Sequence, residues 1–445
     1  MDWAKLLSEK RFGTDKGRYT SQKYARSEFE RDFDRIVFSS CFRRLQNKTQ
    51  VYPLPGNIFV HNRLTHSLEV SCLGRSLGKV VGSALCKKYP QIFKQLGIDS
   101  SDIGAIVAAA SLAHDVGNPC FGHSGERAIS EFFITGAGQE YKKKLAATQW
   151  LEFTDFEGNA NGFRLLTNAP AGKVEGGLQL TYTTLAAFMK YPCEAAVSQE
   201  NTTLASRKKY GFFENEKPYF QTIAQELGLI KGTGKFTNWK RHPLVFLVEA
   251  ADDICYKIID FEDAIRLKLI HLQEGEALLK ALAGKDFEPE IYKSFQDDNE
   301  KISYLRGKSI NTLVQNVCEV FIQQEENILT GKFDAPLIES IPKNNKTILQ
   351  QIENLSIENY YQARAVTEWE IASFEILGKL MEVFLLAVFD TKKAQSSVIK
   401  RTIPKQFLAD KSQSDYIKIL KITDFVSGMT DPYALELYRK ITGNY

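Results

Sequence analysis

The sequence predicts an all-α protein with irregular insertions and at most one or two short β-hairpins. Apolar side chains recur every three to four residues between positions 64 and 89, which is the spacing of one helix face. Residues 102–112 are small and apolar on every side, as is typical of a buried central helix. Strand signals are confined to residues 50–60 and 174–184, so the helical pattern dominates.

The remaining elements are predicted from helix start signals and from the same periodicity. Ser124 is the expected N-cap of a helix that extends through Phe133, because serine can accept a hydrogen bond from the first turn. Pro243 is the expected first residue of a long helix that continues past Asp260, since proline suits that position. Segments 136–180 and 198–218 are expected to be loops. Further helices are expected at about 303–328, 367–389, 413–427 and 431–442.

The composition is that of a folded protein with a large core. The chain has 445 residues, of which 43% are hydrophobic and 25% are charged. A net charge of +3 indicates no particular class of partner. Because the sequence contains neither an internal repeat nor a low-complexity linker, one mainly helical domain is expected over residues 1–445.

The sequence also predicts a cytoplasmic location without membrane attachment. The N-terminus lacks the basic region and apolar stretch of a signal peptide. No uncharged apolar run reaches the roughly 18 residues that a membrane span needs. The seven cysteines have no paired spacing, which favours a reducing compartment over a disulfide scaffold and gives no thiolate zinc site.

The segment 114–126 carries the strongest chemical signal. It begins with adjacent His114 and Asp115, both of them metal-ligand types, and ends with His123 and Glu126 three residues apart. Glycine and proline between the two pairs predict a tight turn. A metal pair and a proton-transfer pair joined by a turn indicate an active site.

A metal held without thiolates needs further ligands from other parts of the chain. His66 lies near the start of the predicted helix 64–89. Asp252 and Asp253 lie in an otherwise apolar stretch, where carboxylates are costly unless they are paired or bind metal. Residue type alone does not distinguish between these two aspartates.

Six ordered segments carry a resemblance to a known family. They are FRRLQNKTQV (42–51), HNRLTHSLEV (61–70), HDVGNPCFGHSGE (114–126), FEGNA (156–160), KYP (190–192) and EAADDICY (249–256). Together they resemble bacterial deoxyguanosine triphosphate triphosphohydrolases (dGTPases) of the HD-domain phosphohydrolase superfamily. The resemblance covers about residues 25–265 and implies an HD core there, with a helical region at about 266–445 packed on it. The segment SGMTD at 427–431 carries a weaker resemblance to the same family.

The resemblance implies a metal site and a catalytic pair. One divalent ion is expected, Mn²⁺ or Mg²⁺ in the first place, with Zn²⁺, Co²⁺ and Fe²⁺ as alternatives. The four ligands would be His66, His114, Asp115 and Asp252. His123 would be the general acid that protonates the leaving 5′-oxygen, with Glu126 orienting its ring. The reverse role, in which His123 activates the water, stays open.

The same resemblance implies the substrate contacts. Arg63, Lys190 and Tyr191 would bind the phosphates, for which an arginine fork is well suited. The sugar would contact Gln50, Val51, Tyr256 and Asp260. Independently of any family, Asp252, Tyr256 and Asp260 are spaced four residues apart and share one helix face.

The function implied is metal-dependent hydrolysis of deoxynucleoside triphosphates, with dGTP as the expected substrate, to deoxynucleoside and inorganic triphosphate. Relatives of this kind imply a homo-oligomer, with a hexamer as one form, and single-stranded DNA as an effector. One alternative is an HD-type nucleotidase or phosphodiesterase. Another is a nucleotide or single-stranded DNA sensor with weak catalysis. Asn118 stands where many HD hydrolases have a histidine.

Overall fold

The computed structural model describes residues 1–14, 26–53, 60–168, 176–200, 203–390 and 392–444, and this part of the chain is all-α. The first half contains α1 (Trp3–Leu6), α2 (Glu28–Val37), α3 (Ser40–Arg44), α4 (Arg63–Lys88), α5 (Pro90–Leu96), α6 (Ser100–Ala113), α7 (Gly122–Ile134), α8 (Ala147–Thr154), α9 (Gly158–Thr167), α10 (Tyr182–Phe188), α11 (Ala195–Ser198) and α12 (Lys217–Glu226). The second half contains α13 (Val245–Arg266), α14 (Leu272–Ala283), α15 (Pro289–Ser294), α16 (Asp298–Leu329), α17 (Lys343–Ser356), α18 (Arg364–Phe389), α19 (Ala394–Lys400), α20 (Asp415–Ser427) and α21 (Asp431–Thr442). The predicted fold class is confirmed.

The apolar helix α6 lies at the centre, as its composition predicts, and is continuously buried from Ile106 to Ala113. Helices α2, α4, α10 and α13 pack around it. The contact with α4 is close because α4 has glycines at one-turn spacing. A Cβ on Gly78 would lie only 2.8 Å from the carbonyl oxygen of Ile103. Tight packing of α4 on α6 places the start of one helix beside the end of the other.

No single helix in the described ranges is long and apolar enough to cross a membrane. Helices α5 and α6 reach the required length and composition only as a pair, which is bent by 73°. Most of α6 is buried in the protein core.

Side-chain caps determine where the two central helices begin. Asn62 caps α4 by accepting from the backbone N–H of Thr65 at 2.9 Å, and Asp99 caps α6 together with Asp102. The predicted helices at 64–89 and 102–112 are thereby confirmed. The four later helices are also confirmed, as α16, α18, α20 and α21, with bounds that differ by a few residues.

Two apolar cores hold the helices together. The first surrounds α6 and includes α4, α13 and α16, and the second joins α7 and α8 to α18 and α20. Since the second core combines helices from both halves of the sequence, the C-terminal helices pack directly on the earlier ones. We therefore propose that residues 1–445 form one domain.

Two predicted helix starts are wrong. Helix α7 begins at Gly122 after Phe121, so Ser124 lies inside the first turn, where its hydroxyl donates to Glu370 at 3.0 Å instead of capping. Helix α13 begins at Val245, two residues after Pro243. The intervening turn is held by the ring of His242, whose Nδ1 accepts from the backbone N–H of Leu244 at 3.2 Å.

The predicted loop at 136–180 is also wrong, because α8 and α9 lie within it. Glycine-rich sequence here does not signal a loop. Gly162 in α9 packs against Gly117, and neither position leaves room for a side chain. Helix α9 therefore approaches the turn that follows α6.

The two predicted hairpins fall partly outside the described residues, which omit 54–59 and 169–175. Of the first, the structure describes an isolated antiparallel bridge between Thr49 and Asn62. Of the second, Thr181 pairs with Arg11 in another bridge, and α10 begins at the next residue. The described part of the second segment is therefore a bridge and a helix rather than a hairpin.

Candidate active site

A cavity of about 440 Å³ lies where the two apolar cores meet. Its walls come from the start of α4, the end of α6, the first turn of α7, and helices α13 and α18. All of the predicted site residues line it except Glu126 and Asp260. The volume suits a nucleotide-sized ligand.

Three of the four predicted metal ligands converge in this cavity. His66 comes from α4, His114 follows α6, and Asp252 comes from α13, and their ligand atoms all lie within 4.8 Å of one another. The Oδ1 atom of Asp252 lies 3.2 Å from Nε2 of His66 and 3.4 Å from Nε2 of His114. Two imidazoles and a carboxylate in this arrangement can bind a divalent cation.

The hydrogen bonding of His114 fits a metal ligand. Its Nδ1 lies 2.6 Å from the carbonyl oxygen of Ser111, so Nδ1 donates that hydrogen bond and Nε2 is the ring nitrogen directed towards the ligand group. That Nε2 is buried and has no hydrogen-bond partner among the described residues. Burial lowers the pKa of His114, but the charges of Asp115 and Asp252 outweigh it and raise the pKa to about 9. The site thus presents a strong negative field to a cation.

Asp115, the fourth predicted ligand, lies beside this group but is engaged elsewhere. Its Oδ2 accepts from Arg63 at 2.7 Å, and its Oδ1 accepts from the side-chain amide of Asn118. Oδ1 is also 3.5 Å from Nε2 of His114. Although burial raises the pKa of Asp115, Arg63 and His114 hold it below its usual value. Asp115 is therefore a carboxylate that can join the metal group.

His123 and Glu126 form a hydrogen-bonded pair on the first turns of α7. Nδ1 of His123 lies 2.7 Å from Oε2 of Glu126. The His123 side chain is 69% exposed and lines the cavity. Glu126 is buried and its other oxygen accepts from the backbone N–H of Gly158 at 2.7 Å. Burial opposes ionisation of Glu126, but its hydrogen bond to His123 and the charge of Lys209 lower its pKa to about 2. An ionised Glu126 orients the ring of His123 and leaves Nε2 free.

Four cationic side chains line the cavity. Arg63 and Lys190 were expected there; Arg127 and Lys209 were not. Nζ of Lys190 lies 3.5 Å from Oε1 of Glu249, and Nζ of Lys209 lies 2.9 Å from Oε2 of Glu157. Each of the four cations pairs with a carboxylate in this structure, and phosphate groups could bind them in place of those partners.

The predicted sugar contacts occupy another wall of the cavity. The Oε1 atom of Gln50 is buried and finds no hydrogen-bond partner in the described part of the chain. Asp260 stands behind this wall and accepts from the hydroxyl of Tyr361 at 3.0 Å. The Tyr361 ring stacks on that of Tyr256, with centroids 5.2 Å apart and planes at 8°. Tyr361, rather than Asp260, therefore faces the cavity.

Sequence reasoning missed several lining residues. Arg127 lies one turn after His123, and this helical spacing could have identified it. Lys209 lies in a segment that was expected to be a loop, and no motif marks it. Tyr361, Trp369 and Glu370 come from a distant part of the chain, and only tertiary packing brings them to the cavity. The lining residues outside the predicted set are Thr49, Asn118, Phe121, Ser124, Arg127, Asn159, Phe188, Lys209, Val245, Val248, Glu249, Tyr361, Val366, Trp369 and Glu370.

Comparison with models of known protein families gave no match. Comparison with curated proteins found relatives over the full length of the chain. A deoxyguanosinetriphosphate triphosphohydrolase-like protein of Synechocystis sp. is 41% identical over 100% of this chain and 99% of its own. One of Pseudomonas aeruginosa is 38% identical over the same shares of the two chains. The deoxyguanosinetriphosphate triphosphohydrolase of Salmonella arizonae is 26% identical over 98% of this chain and 97% of its own.

Proposed function

The chain belongs to the deoxyguanosinetriphosphate triphosphohydrolase family, and we propose that it hydrolyses deoxynucleoside triphosphates, dGTP first among them, to deoxynucleoside and inorganic triphosphate. The observation that carries this proposal is one cavity that holds three kinds of group. These are a His–Asp group that could hold a metal ion, a histidine whose ring is hydrogen-bonded to Glu126, and four cationic side chains.

The metal group supports dependence on one divalent ion, for which we propose Mn²⁺ or Mg²⁺. The residues that would hold it are His66, His114 and Asp252, with Asp115 beside them. When bound, such an ion supplies Lewis-acid stabilisation of negative charge on a phosphoryl oxygen. Nε2 of His114, which is buried and has no hydrogen-bond partner in the described ranges, is the atom that best fits this role.

The reaction needs a proton donor because the leaving group is a 5′-alkoxide, which is far more basic than a phosphate. Water adds to the α-phosphorus, the bond from phosphorus to the 5′-oxygen breaks, and that oxygen takes a proton. We assign the proton to Nε2 of His123, since Nδ1 is held by Glu126 at 2.7 Å. The alternative, in which His123 accepts a proton from the water, uses the same atom.

The cations would bind the phosphates of the substrate and then the triphosphate product. Arg63 lies next to the metal group through its bond to Asp115, which suits contact with the α-phosphate. Lys190 and Lys209 would hold the outer phosphates, and Tyr191 would add a hydroxyl. Each lysine faces a carboxylate in this structure, so phosphate would compete with Glu249 and Glu157 for them.

The sugar wall would select deoxyribose. Oε1 of Gln50, which has no hydrogen-bond partner among the described residues, can accept a hydrogen bond from the 3′-hydroxyl. Val51 and the ring of Tyr256 present apolar surface, beside which a 2′-hydroxyl would lose its hydrogen bonds to water. Asp260 would act through Tyr361, whose hydroxyl donates a hydrogen bond to it.

A product analysis tests the proposed function. Purified protein is incubated with each dNTP and Mn²⁺, with and without EDTA, and the products are separated by ion exchange. We expect free deoxynucleoside and triphosphate, fastest from dGTP, and no turnover with EDTA. Release of orthophosphate or of a deoxynucleoside monophosphate would instead favour the nucleotidase or phosphodiesterase alternative. Binding of nucleotide without turnover would favour a sensor.

We also propose a cytoplasmic homo-oligomer whose activity responds to single-stranded DNA. Light scattering after size exclusion measures the oligomeric state, in which a hexamer is one expected form. Turnover measured with and without an oligonucleotide tests the effector. A monomer, or turnover that does not change, would contradict the respective proposal.

A further inference from the structure

Asp431 is a buried carboxylate that contacts two walls of the cavity from near the end of the chain. It is the first residue of α21 and is fully buried. Its Oδ2 accepts from the backbone N–H of Thr49 at 2.8 Å, and its Oδ1 accepts from the backbone N–H of Phe121 at 2.9 Å. Both Thr49 and Phe121 line the cavity. One side chain therefore joins two walls whose residues are far apart in sequence.

The bond to Phe121 holds a backbone conformation that this residue rarely adopts. Phe121 has a φ of 63°, in the left-handed region that is unfavourable for a residue with a Cβ atom. Such conformations persist where the surroundings fix them. The following Gly122 has a φ of 58°, which is also left-handed, and a Cβ there would displace the guanidinium of Arg63. His123 comes next, so the direction of its ring depends on this turn.

The hydrogen bond from Thr49 to Asp431 fixes a second part of the cavity lining. Thr49 also pairs with Asn62, the N-cap of α4, in an antiparallel bridge. Gln50 and Val51 follow Thr49 directly, and these are the residues proposed to contact the deoxyribose. Their position relative to His123 therefore depends on the same carboxylate.

Neighbouring contacts reinforce the connection. The buried ammonium of Lys48 donates to the carbonyl oxygen of Asn118 at 2.6 Å and to that of Ser427 at 3.2 Å. Its positive charge lies close enough to interact with the negative charge of Asp431. Lys48 therefore links the turn that follows α6 to the end of α20, alongside the two hydrogen bonds that Asp431 accepts.

We propose that Asp431 is a positioning residue that sets the spacing between the proton donor His123 and the sugar wall formed by Gln50 and Val51. The inference rests on the proposed function, since it gives Asp431 a role in that reaction. A carboxylate suits the role because its two oxygens accept from two backbone N–H groups at once. Loss of either bond should alter both turnover and the preference for deoxyribose over ribose.

The test compares Asp431→Asn with a matched control, Asp424→Asn. The amide keeps the shape of Asp431 but has one acceptor oxygen, so its NH₂ group faces one of the two backbone donors. Asp424 binds Arg164 at 2.8 Å in a largely buried ion pair, and neither residue lines the cavity. Both variants lose one carboxylate from the C-terminal helices, but only the carboxylate of Asp431 contacts residues that line the cavity.

We expect Asp431→Asn to lower kcat for dGTP about 10- to 100-fold, because small displacements of a reacting group have effects of this size. We also expect its preference for dGTP over GTP to fall, whereas Asp424→Asn keeps the wild-type preference per folded molecule. Hydrogen exchange in short peptides should show faster exchange at Thr49 and Phe121 in Asp431→Asn only. Circular dichroism gives the folded fraction of each variant.

Active wild-type protein combined with equal kcat and equal sugar preference in the two variants would overturn this inference and leave the proposed function standing. Wild-type protein that hydrolyses no dNTP would overturn both. If Asp431→Asn does not fold, hydrogen exchange of the wild-type protein tests the inference instead. Protection of the Thr49 and Phe121 amides well above the neighbouring loop amides supports the inference, and exchange as fast as in exposed loops rejects it.

Discussion

At the scale of single residues, the site depends on which atom of each side chain is left free. Nδ1 of His114 donates to a backbone carbonyl, and its Nε2 has no hydrogen-bond partner in the part of the chain that the structure describes. Nδ1 of His123 is hydrogen-bonded to Glu126. In both residues a hydrogen bond to one ring nitrogen directs the other towards the cavity. The two imidazoles can therefore serve different purposes, one for a metal and one for a proton.

Replacing His123 tests the second purpose. We expect His123→Gln to lower kcat for dGTP by about 10²- to 10⁴-fold, the usual range for loss of a general acid or base. Metal affinity measured by calorimetry should stay unchanged, because His66, His114 and Asp252 are untouched. His271→Gln is the control, since His271 is exposed at the start of α14 and lies outside the cavity lining. Turnover of His123→Gln equal to that of the control would remove His123 from the mechanism.

At the scale of elements, an ion-pair cluster joins the segment before α4 to α13. Nδ1 of His61 lies 2.8 Å from Asp263 on α13, and Nε2 lies 3.2 Å from Glu69 on α4. Burial lowers the pKa of His61, but its hydrogen bonds to the two carboxylates outweigh this and raise the pKa to about 10. The two helices that supply His66 and Asp252 are thus also linked near the start of α4.

The pH dependence of stability should report this cluster. The folded pKa of His61 exceeds the value of about 6.5 expected in the unfolded chain, so folding takes up a proton. The stabilisation is therefore complete below about pH 6.5 and is lost as pH rises towards 10. We expect the free energy of unfolding, measured in urea, to fall more between pH 7 and 10 for wild type than for His61→Gln. Parallel curves for the two proteins would contradict this expectation.

Other contacts between elements explain where sequence patterns mislead. Ser124 has the side chain of an N-cap, but the turn at Phe121 starts α7 earlier and Ser124 instead contacts Glu370 on α18. Gly162 of α9 suggests a loop when the local sequence is considered alone, yet it permits close packing against Gly117. In both places a tertiary contact overrides the local preference.

At the scale of the whole molecule, the cavity lies between two apolar cores, and helices from both ends of the sequence complete it. Helix α18 contributes Trp369 and Glu370 to its lining, and α21 supplies Asp431 behind it. The site is therefore complete only when the C-terminal helices are packed on the earlier ones. This arrangement is the reason for proposing a single domain.

Unfolding experiments test that proposal. Phe384 is fully buried in the second core, so Phe384→Ala should cost about 3–5 kcal/mol. In one domain, circular dichroism and tryptophan fluorescence should report the same single transition in urea, shifted as a whole by the substitution. Ile371→Ala, at an exposed position on the same helix, is the control and should leave the transition in place. Two separate transitions, with only one shifted, would contradict the single domain.

The sequence by itself determined the helical fold class and the approximate ranges of α4, α6, α16, α18, α20 and α21, and its resemblance to a family indicated His66, His114 and Asp252 as candidate ligands. These features depend on periodicity within one helix and on short strings of residues, so neighbouring positions in the chain carry the information. The close spacing of His123 and Glu126 likewise predicted their contact. Their roles in a reaction stay predictions.

Only the tertiary structure decided which partners the remaining side chains have. Asp115 binds Arg63, Asp260 lies behind Tyr361, and Lys209 enters the cavity from a segment without a motif. The link from Asp431 to Thr49 and Phe121 belongs to the same class. Each of these contacts joins residues that are distant in sequence, and their geometry follows from how whole helices pack. Local patterns contain no information about that packing, and so the sequence could not reveal them.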